Sequence, residues 1–274
     1  MQKRTKNHTV RFSKWSSHFS KRRNFFISYP KSGRTWVRFL VNAYKAKLFR
    51  VDVPNIFKVE RKLRLQHHVE WTHLAGHQKN AYYAMRPDNV ALLKKTPCVF
   101  MIRNFHATLA SAWFQVTERL GVSLDNTDSF LFGKEFGIMH MISFYNSWIE
   151  IAAQLEEVRY VSYEKLKTDT REEFAKILES LGLPLDEMLI SETLEMGSFE
   201  NMQRLGASEA YANTVLAPTN RSNPDSAKVR SGSAGSFREL FTDEQINCIN
   251  EAIKKYFVGY KDPIFAECIK EKIS

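Results

Sequence analysis

No stretch of about 18 uninterrupted apolar residues occurs in this 274-residue sequence, so no segment has the length and hydropathy of a membrane-spanning helix. The basic beginning of the chain is not followed by an apolar core, which argues against a secretory signal. Cysteine is scarce. Cys98, Cys248 and Cys268 lie far apart with no C-x-x-C pair, a pattern that speaks against a disulfide framework and for reduced thiols. Cys98 sits in an apolar run and reads as a core residue rather than a nucleophile. No period of 20 to 50 residues repeats, no segment is of low complexity, and no zinc-finger spacing is present. These absences lead to the expectation of a soluble, cytoplasmic protein.

Acidic residues are also absent from residues 1–23. That segment holds Lys3, Arg4, Lys6, Arg11, Lys14, Lys21, Arg22 and Arg23, so it carries eight of the ten net positive charges and the remainder is nearly neutral. Such a run could meet nucleic acid or a membrane surface, but its simpler reading is a solvated end. We expect a flexible basic leader over 1–23 and one folded domain over 24–274. At 43% hydrophobic and 13% aromatic content, that length can bury a substantial core.

The stretch "NFFISYPKSGRTWVRFLVNAY", residues 24–44, reads as strand, tight turn and helix. Phe25 to Ile27 are apolar, and after Gly33 the residues Trp36, Phe39, Leu40 and Ala43 recur at helical spacing. Such a unit directs the unpaired N–H groups of the first helical turn, and the positive end of the helix dipole, at whatever lies over the turn. The nucleoside-triphosphatase loop G-x-x-x-x-G-K-[ST] is not what is written here. Lys31 precedes the glycine by two residues, and Arg34 follows it. Lys31, Ser32, Arg34 and Thr35 nonetheless place two cations and two hydroxyls around one helix start, which points to an anion.

Further along, residues 69–76 and 97–104 read as strands, the second ending in Arg103. Helical spacing covers 106–120 and 136–155, 158–166 is a strand and its exit, and 170–182 is a helix with Thr170 and Glu173 at capping-box spacing and Gly182 at its end. Another helix is expected over about 186–196, and an amphipathic one over 242–257. Residues 205–237, rich in Ser, Asn, Pro, Gly and Ala, are long for a plain connection and read as a lid or binding loop. Strands alternating with helices imply an α/β domain with a mainly parallel sheet and a ligand at the carboxyl ends of its strands.

Three ordered segments, "YPKSGRTW", "RNFHATLAS" and "RSGSAGSF", resemble those of the PAPS-dependent sulfotransferase family, over about Asn24 to Tyr256. The resemblance implies a P-loop-like nucleotide-binding fold and PAPS as sulfuryl donor, with PAP as product and no metal. It implies that Lys31, Ser32, Gly33, Arg34, Thr35 and Trp36 surround the 5′-phosphosulfate end. Arg103, Ser111 and Arg230, with Ser231 and Gly232, would hold the 3′-phosphate. Trp36 and Phe199, the latter following Ser198 in "GSFENM", would cover the adenine, and Tyr163 would reach a base nitrogen. The family's catalytic base is the histidine of a T-H-L or S-H-L segment; "WTHLAGH" offers His73, with His77 nearby. Lys31 would stabilise the leaving oxygen and Ser32 restrain that lysine.

The sequence also departs from the family pattern. Trp71 stands where cytosolic members carry a second lysine, Arg34 and Gly197 replace threonines, and Ser231 replaces a lysine. The dimer segment K-x-x-x-T-V-x-x-x-E is met only as Arg238, Thr242, Asp243 and Asn247, which leaves the oligomeric state open. The expected acceptor is a small molecule, lipid or carbohydrate with a hydroxyl or amine, and phenol, lipid, sugar and peptide acceptors all stay open. Trp113, Phe114, His140, Phe144, Tyr82, Tyr83 and residues 205–229 are candidates to line its pocket. Two other readings stand beside this one. A nucleotide or small-molecule kinase with an atypical phosphate loop would need metal-binding carboxylates after a strand, where Arg103 stands, and a noncatalytic PAP- or nucleic-acid-binding protein would use the basic leader.

Overall fold

Four short apolar segments build the sheet. A computed structural model describes residues 23–63, 67–73, 93–94, 96–134, 136–229 and 237–270. Strands β1 (Arg23–Ser28), β2 (His68–Thr72), β3 (Cys98–Ile102) and β4 (Val158–Ser162) form one sheet in the order β2-β1-β3-β4. Every neighbouring pair is parallel, with Phe26 in register with both Trp71 and Val99. All five residues of β3 are buried, as a strand covered on both faces must be.

Alternation along the strands sends side chains to two cores. Phe25, Ile27, Phe100 and Ile102 pack with Phe105, Tyr145 and Trp148 on one face; Phe26, Val99 and Met101 pack with Leu40, Tyr44 and Phe174 on the other. The first face is covered by α3 (Phe105–Phe114) and α5 (Ile138–Ala152), the latter following the short α4 (Thr127–Leu131). Against the second lie α1 (Arg34–Leu48), which precedes the short α2 (Val59–Leu63), and α7 (Thr170–Ser180), which follows α6 (Tyr163–Thr168). Helices α8 (Glu187–Met196) and α9 (Phe199–Ala207) come next in the chain, and then α10 (Phe237–Leu240), α11 (Asp243–Tyr256) and α12 (Ala266–Ile269). The expected parallel α/β sheet is therefore present. No helix among the described residues is long and apolar enough to cross a membrane.

Two local readings change. Thr170 is the first helical residue of α7 rather than its cap; Asp169 holds the cap position without a side-chain bond, and Glu173 turns to Lys176 at 2.8 Å. The competing salt bridge takes the glutamate that a capping box would need. The reciprocal capping box belongs instead to Thr242 and Gln245 at α11. At the other end of α7 the sequence signal holds. Gly182 has φ +70°, and the amides of Gly182 and Leu183 return to the carbonyls of Glu179 and Leu178, the Schellman closure that favours glycine. The connection after α9 is not structureless, since it contains single 3₁₀ turns at Glu209–Tyr211 and Pro224–Ser226.

Behind α1 lies a buried polar network. Fully buried Lys45 donates to the His67 carbonyl at 3.1 Å, and His67 Nε2 donates to the Leu181 carbonyl at 2.8 Å. Arg38 grips Glu60 through Nε and Nη2 at 3.1 and 2.6 Å, and the Trp71 indole N–H donates to the same carboxylate. Burial pushes Lys45 down to about 8 against the pull of Glu60. Its folded pKa lies below its unfolded value of 10.5, so between these values the unfolded chain binds more protons and stability rises with pH. Compared with Lys45→Met, the wild type should gain on the order of 2 kcal/mol in urea unfolding between pH 7 and pH 10. A pH-independent difference would show that Lys45 is not desolvated as described.

Candidate active site

The turn between β1 and α1 is shaped by two left-handed residues. Lys31 has φ +70° and Gly33 φ +99°, the first a conformation that costs a non-glycine residue about 1–2 kcal/mol. Glycine at 33 answers two demands at once, because a Cβ there would lie 2.5 Å from the Tyr163 ring and the φ itself is unfavourable for other residues. Gly33 is the N-cap of α1, no side chain caps that helix, and its first turn has no acid. The helix start is thus electrically suited to an anion.

The carboxyl ends of the neighbouring strands close round this turn. Arg103, just after β3, donates from Nη1 to the Lys31 carbonyl at 2.6 Å and lies over the Tyr163 ring at 4.4 Å. Asn104 caps α3 through the Ala107 amide and holds the Lys270 carbonyl at 2.7 Å. Its own amide donates to Glu164, which also accepts from Ser162. Glu164 therefore joins the β3–α3 corner to the β4–α6 corner.

A cavity of about 630 Å³ opens over these ends. Of the residues singled out in the sequence, Lys31, Gly33, Arg34, Thr35 and Trp36 line it, as do His73, Arg103, Ser111, Tyr163 and Phe199. Trp36 is held edge-on to Tyr163, its indole N–H donating to the Gly197 carbonyl at 2.9 Å. A Cβ on Gly197 would meet Leu40 Cδ2 at 2.3 Å, so a larger residue there, such as the threonine of the family pattern, would have to displace that side chain. Ser32 is fully buried and lies off the cavity wall. Ser198 is also off the wall, its hydroxyl capping α9 through the Asn201 amide. Arg230, Ser231, Gly232, His77, Tyr82 and Tyr83 lie outside the described residues.

His73 stands directly after β2, and its Nδ1 is 2.8 Å from the Ser28 carbonyl. A carbonyl only accepts, so Nδ1 carries hydrogen and the neutral ring is basic at Nε2. Of the pocket candidates for the acceptor, Phe114 lines the cavity, whereas Phe144 and Trp113 pack in the core and His140 meets the Tyr29 hydroxyl at 3.1 Å.

Sequence reasoning missed Gln115, Arg119 and Lys167 on the wall, whereas Val215, Asp225, Ala227, Lys228 and Val229 belong to the 205–229 stretch it named. Residues Gln115–Arg119 form a π-helical turn that continues α3, a geometry often found at functional sites and without a sequence signature. Gln115 Oε1 accepts from Lys31 Nζ at 3.4 Å, and Arg119 donates to the carbonyls of Ala217 and Ser226. Among the described residues six cations line the cavity, Lys31, Arg34, Arg103, Arg119, Lys167 and Lys228, against two carboxylates, Glu200 and Asp225. Burial and the charge of Arg38 push Arg34 down to about 10, and burial with Arg119 and Arg34 pushes Lys228 down to about 8. Among the described residues no group of three or more His, Cys, Asp or Glu could hold a metal ion.

Comparison with known proteins identifies the family and the fold. The chain is 24% identical over 260 residues to a 3-alpha-hydroxysteroid sulfotransferase of Cavia porcellus, covering 88% of this chain and 86% of that one. It is 23% identical over 235 residues to an amine sulfotransferase of Oryctolagus cuniculus, covering 81% and 76%. The crystal structure of a mouse sulfotransferase complexed with PAP superposes with a TM-score of 0.60 at 21% identity, over 89% of this chain and 88% of that one. The Sulfotransferase domain matches residues 21–261, and the chain belongs to that family.

Proposed function

We propose that this protein moves the sulfuryl group of PAPS to a hydroxyl or amine acceptor, with His73 as general base and PAP as product. The observation that carries the proposal is the shared cavity in which Lys31, His73, Arg103 and Ser111 converge over one helix start. A ligand with two anionic ends would meet cations and a helix start on this wall. Lys31, Thr35 and the first-turn amides of α1 would receive the 5′-phosphosulfate, and Arg103 and Ser111, with Arg230, the 3′-phosphate. Trp36 and Phe199 offer aromatic faces for the adenine, and Tyr163 a hydroxyl.

Bound PAPS supplies an activated sulfuryl group, so the protein's share is positioning and charge stabilisation. His73 takes the acceptor's proton on Nε2 as the acceptor oxygen bonds to sulfur in line with the departing phosphate oxygen. The Ser28 carbonyl fixes the tautomer this requires. Lys31 neutralises the electron pair left on the phosphate oxygen. Gln115 holds the lysine ammonium over the transfer point. Fully buried Ser32 underlies the turn, from where its influence on Lys31 would pass through the backbone.

Three outcomes test the proposal. PAP should bind far more tightly than ADP, and Arg103→Ala should cost roughly 2–5 kcal/mol of PAP affinity; calorimetry giving PAP and ADP equal affinity would refute the paired anion cradles. Transfer should persist in excess EDTA, because protein cations stand where a kinase uses Mg²⁺; activity that vanishes with chelator and returns with Mg²⁺ would favour phosphoryl transfer. His73→Ala should lower single-turnover transfer by about 10²–10⁴-fold with PAP affinity retained. A variant with normal turnover and a lowered melting temperature would make His73 a structural histidine.

A further inference from the structure

His73 follows a strand that is weakly held by its own backbone. Among the described residues β2 lies at the edge of the sheet and pairs with β1 alone, and the register ends at Thr72 against Ile27. Trp71, Thr72 and His73 are half-buried. A strand end paired on one side and thinly packed opens easily, so side chains must fix it. The Trp71 indole N–H donates to Glu60 Oε1, while Arg38 donates to Oε2 from Nε at 3.1 Å and from Nη2 at 2.6 Å. Both oxygens of the carboxylate are engaged, each from a different element. The Glu60 side chain is 14% exposed, and bonds to a charged group are stronger where water is largely kept out.

The two partners of Glu60 belong to the two halves of the chemistry. Arg38 lies one turn after Arg34, the first residue of α1, the helix whose start faces the cavity. Trp71 belongs to β2 and leads, two residues on, to His73, whose Nδ1 is 2.8 Å from the carbonyl of Ser28 at the end of β1. The base is therefore fastened to the same strand–turn–helix unit by two routes, one through the Ser28 carbonyl and one through Trp71, Glu60 and Arg38. Without the second, a single hydrogen bond would hold the imidazole on a strand end that can open. Arg38, Glu60 and Trp71 all lie off the cavity wall, so whatever they do for transfer is done through another residue.

We propose that Glu60 is a positioning residue for transfer: by accepting from the Trp71 indole while Arg38 grips it, it holds the end of β2 so that His73 keeps its Nδ1 hydrogen on the Ser28 carbonyl and stays basic at Nε2. The proposal rests on the reading of His73 as general base and adds what keeps that base in place. Misplacing a reacting group by about 1 Å can cost 10²-fold in rate. A carboxylate outside the cavity thus sets the reach of the base within it.

Nitrogen NMR of the labelled full chain reads the tautomer of the His73 ring, its signals assigned by their loss in His73→Asn. At a pH where the ring is neutral, the wild type should carry hydrogen on Nδ1. Trp71→Phe keeps an aromatic ring against Phe26 and leaves the Arg38–Glu60 pair, but removes the indole donor; it should admit the Nε2–H form, as should Glu60→Ala. In PAPS-dependent transfer to 4-nitrophenol, kcat should fall by about 10- to 100-fold in both variants, the effect of a small misplacement, with KM and PAP affinity unchanged. The double variant should lose no more than Glu60→Ala alone, because both substitutions break the same bond. A wild-type ring without hydrogen on Nδ1, a ring that stays in the Nδ1–H form in Trp71→Phe, or losses that multiply in the double variant would overturn the proposal and leave the network a stabilising one. Should Glu60→Ala fail to fold, Trp71→Phe carries the test, and should 4-nitrophenol not be sulfated, the tautomer decides. A wild type without affinity for PAP would instead be a failure of the sulfotransferase reading, distinguishable because the His73 tautomer is read without donor or acceptor.

Discussion

The carboxyl edge of the sheet depends on where one guanidinium is held. Arg103 is fixed from below by the Lys31 carbonyl and across its face by the Tyr163 ring, so a residue after β3 ties the turn after β1 to the helix after β4. The same tyrosine ring lies so close to Gly33 that no side chain fits between them. One cation, one ring and one glycine thereby set the relative positions of three strand ends. Parallel strands make this possible, since all their carboxyl ends emerge together. The strained φ of Lys31 persists because the turn is held from both sides.

A second tie runs to the other edge of the sheet. Glu60, gripped by Arg38 of α1, receives the Trp71 indole two residues before His73, and Trp71 packs on Phe26 of β1 with ring centroids 4.8 Å apart. Where the family pattern has a lysine beside the base, this chain has an aromatic residue braced by a carboxylate. Position 71 thus contributes packing instead of charge, and cationic influence enters the cavity from Arg34, Arg119 and Lys228.

What could be read in the sequence was whatever a short window encodes. The strand–turn–helix at 24–44, the buried strand ending in Arg103 and the glycine closing α7 are local patterns of apolar period and backbone permissiveness, and the structure keeps them. Residues joined by distant contacts could not be read in that way. Nothing around Arg119 announces that it reaches Ala217 and Ser226, and nothing around Gly197 shows that its Cα faces the Leu40 side chain. Thr170 and Glu173 had the right spacing for a capping box, yet spacing does not say that Lys176 competes for the glutamate. Ser32 and Ser198 belong to the recognised segments, but their places beneath the turn and at the start of α9 follow from packing.

The π-helical turn at Gln115–Arg119 lies where the wall of the cavity passes from Ser111 to Arg119. Its wider ring absorbs an additional residue without unwinding the helix before it, so the stretch from Asn104 to Ser111 keeps its phase relative to the sheet whatever follows.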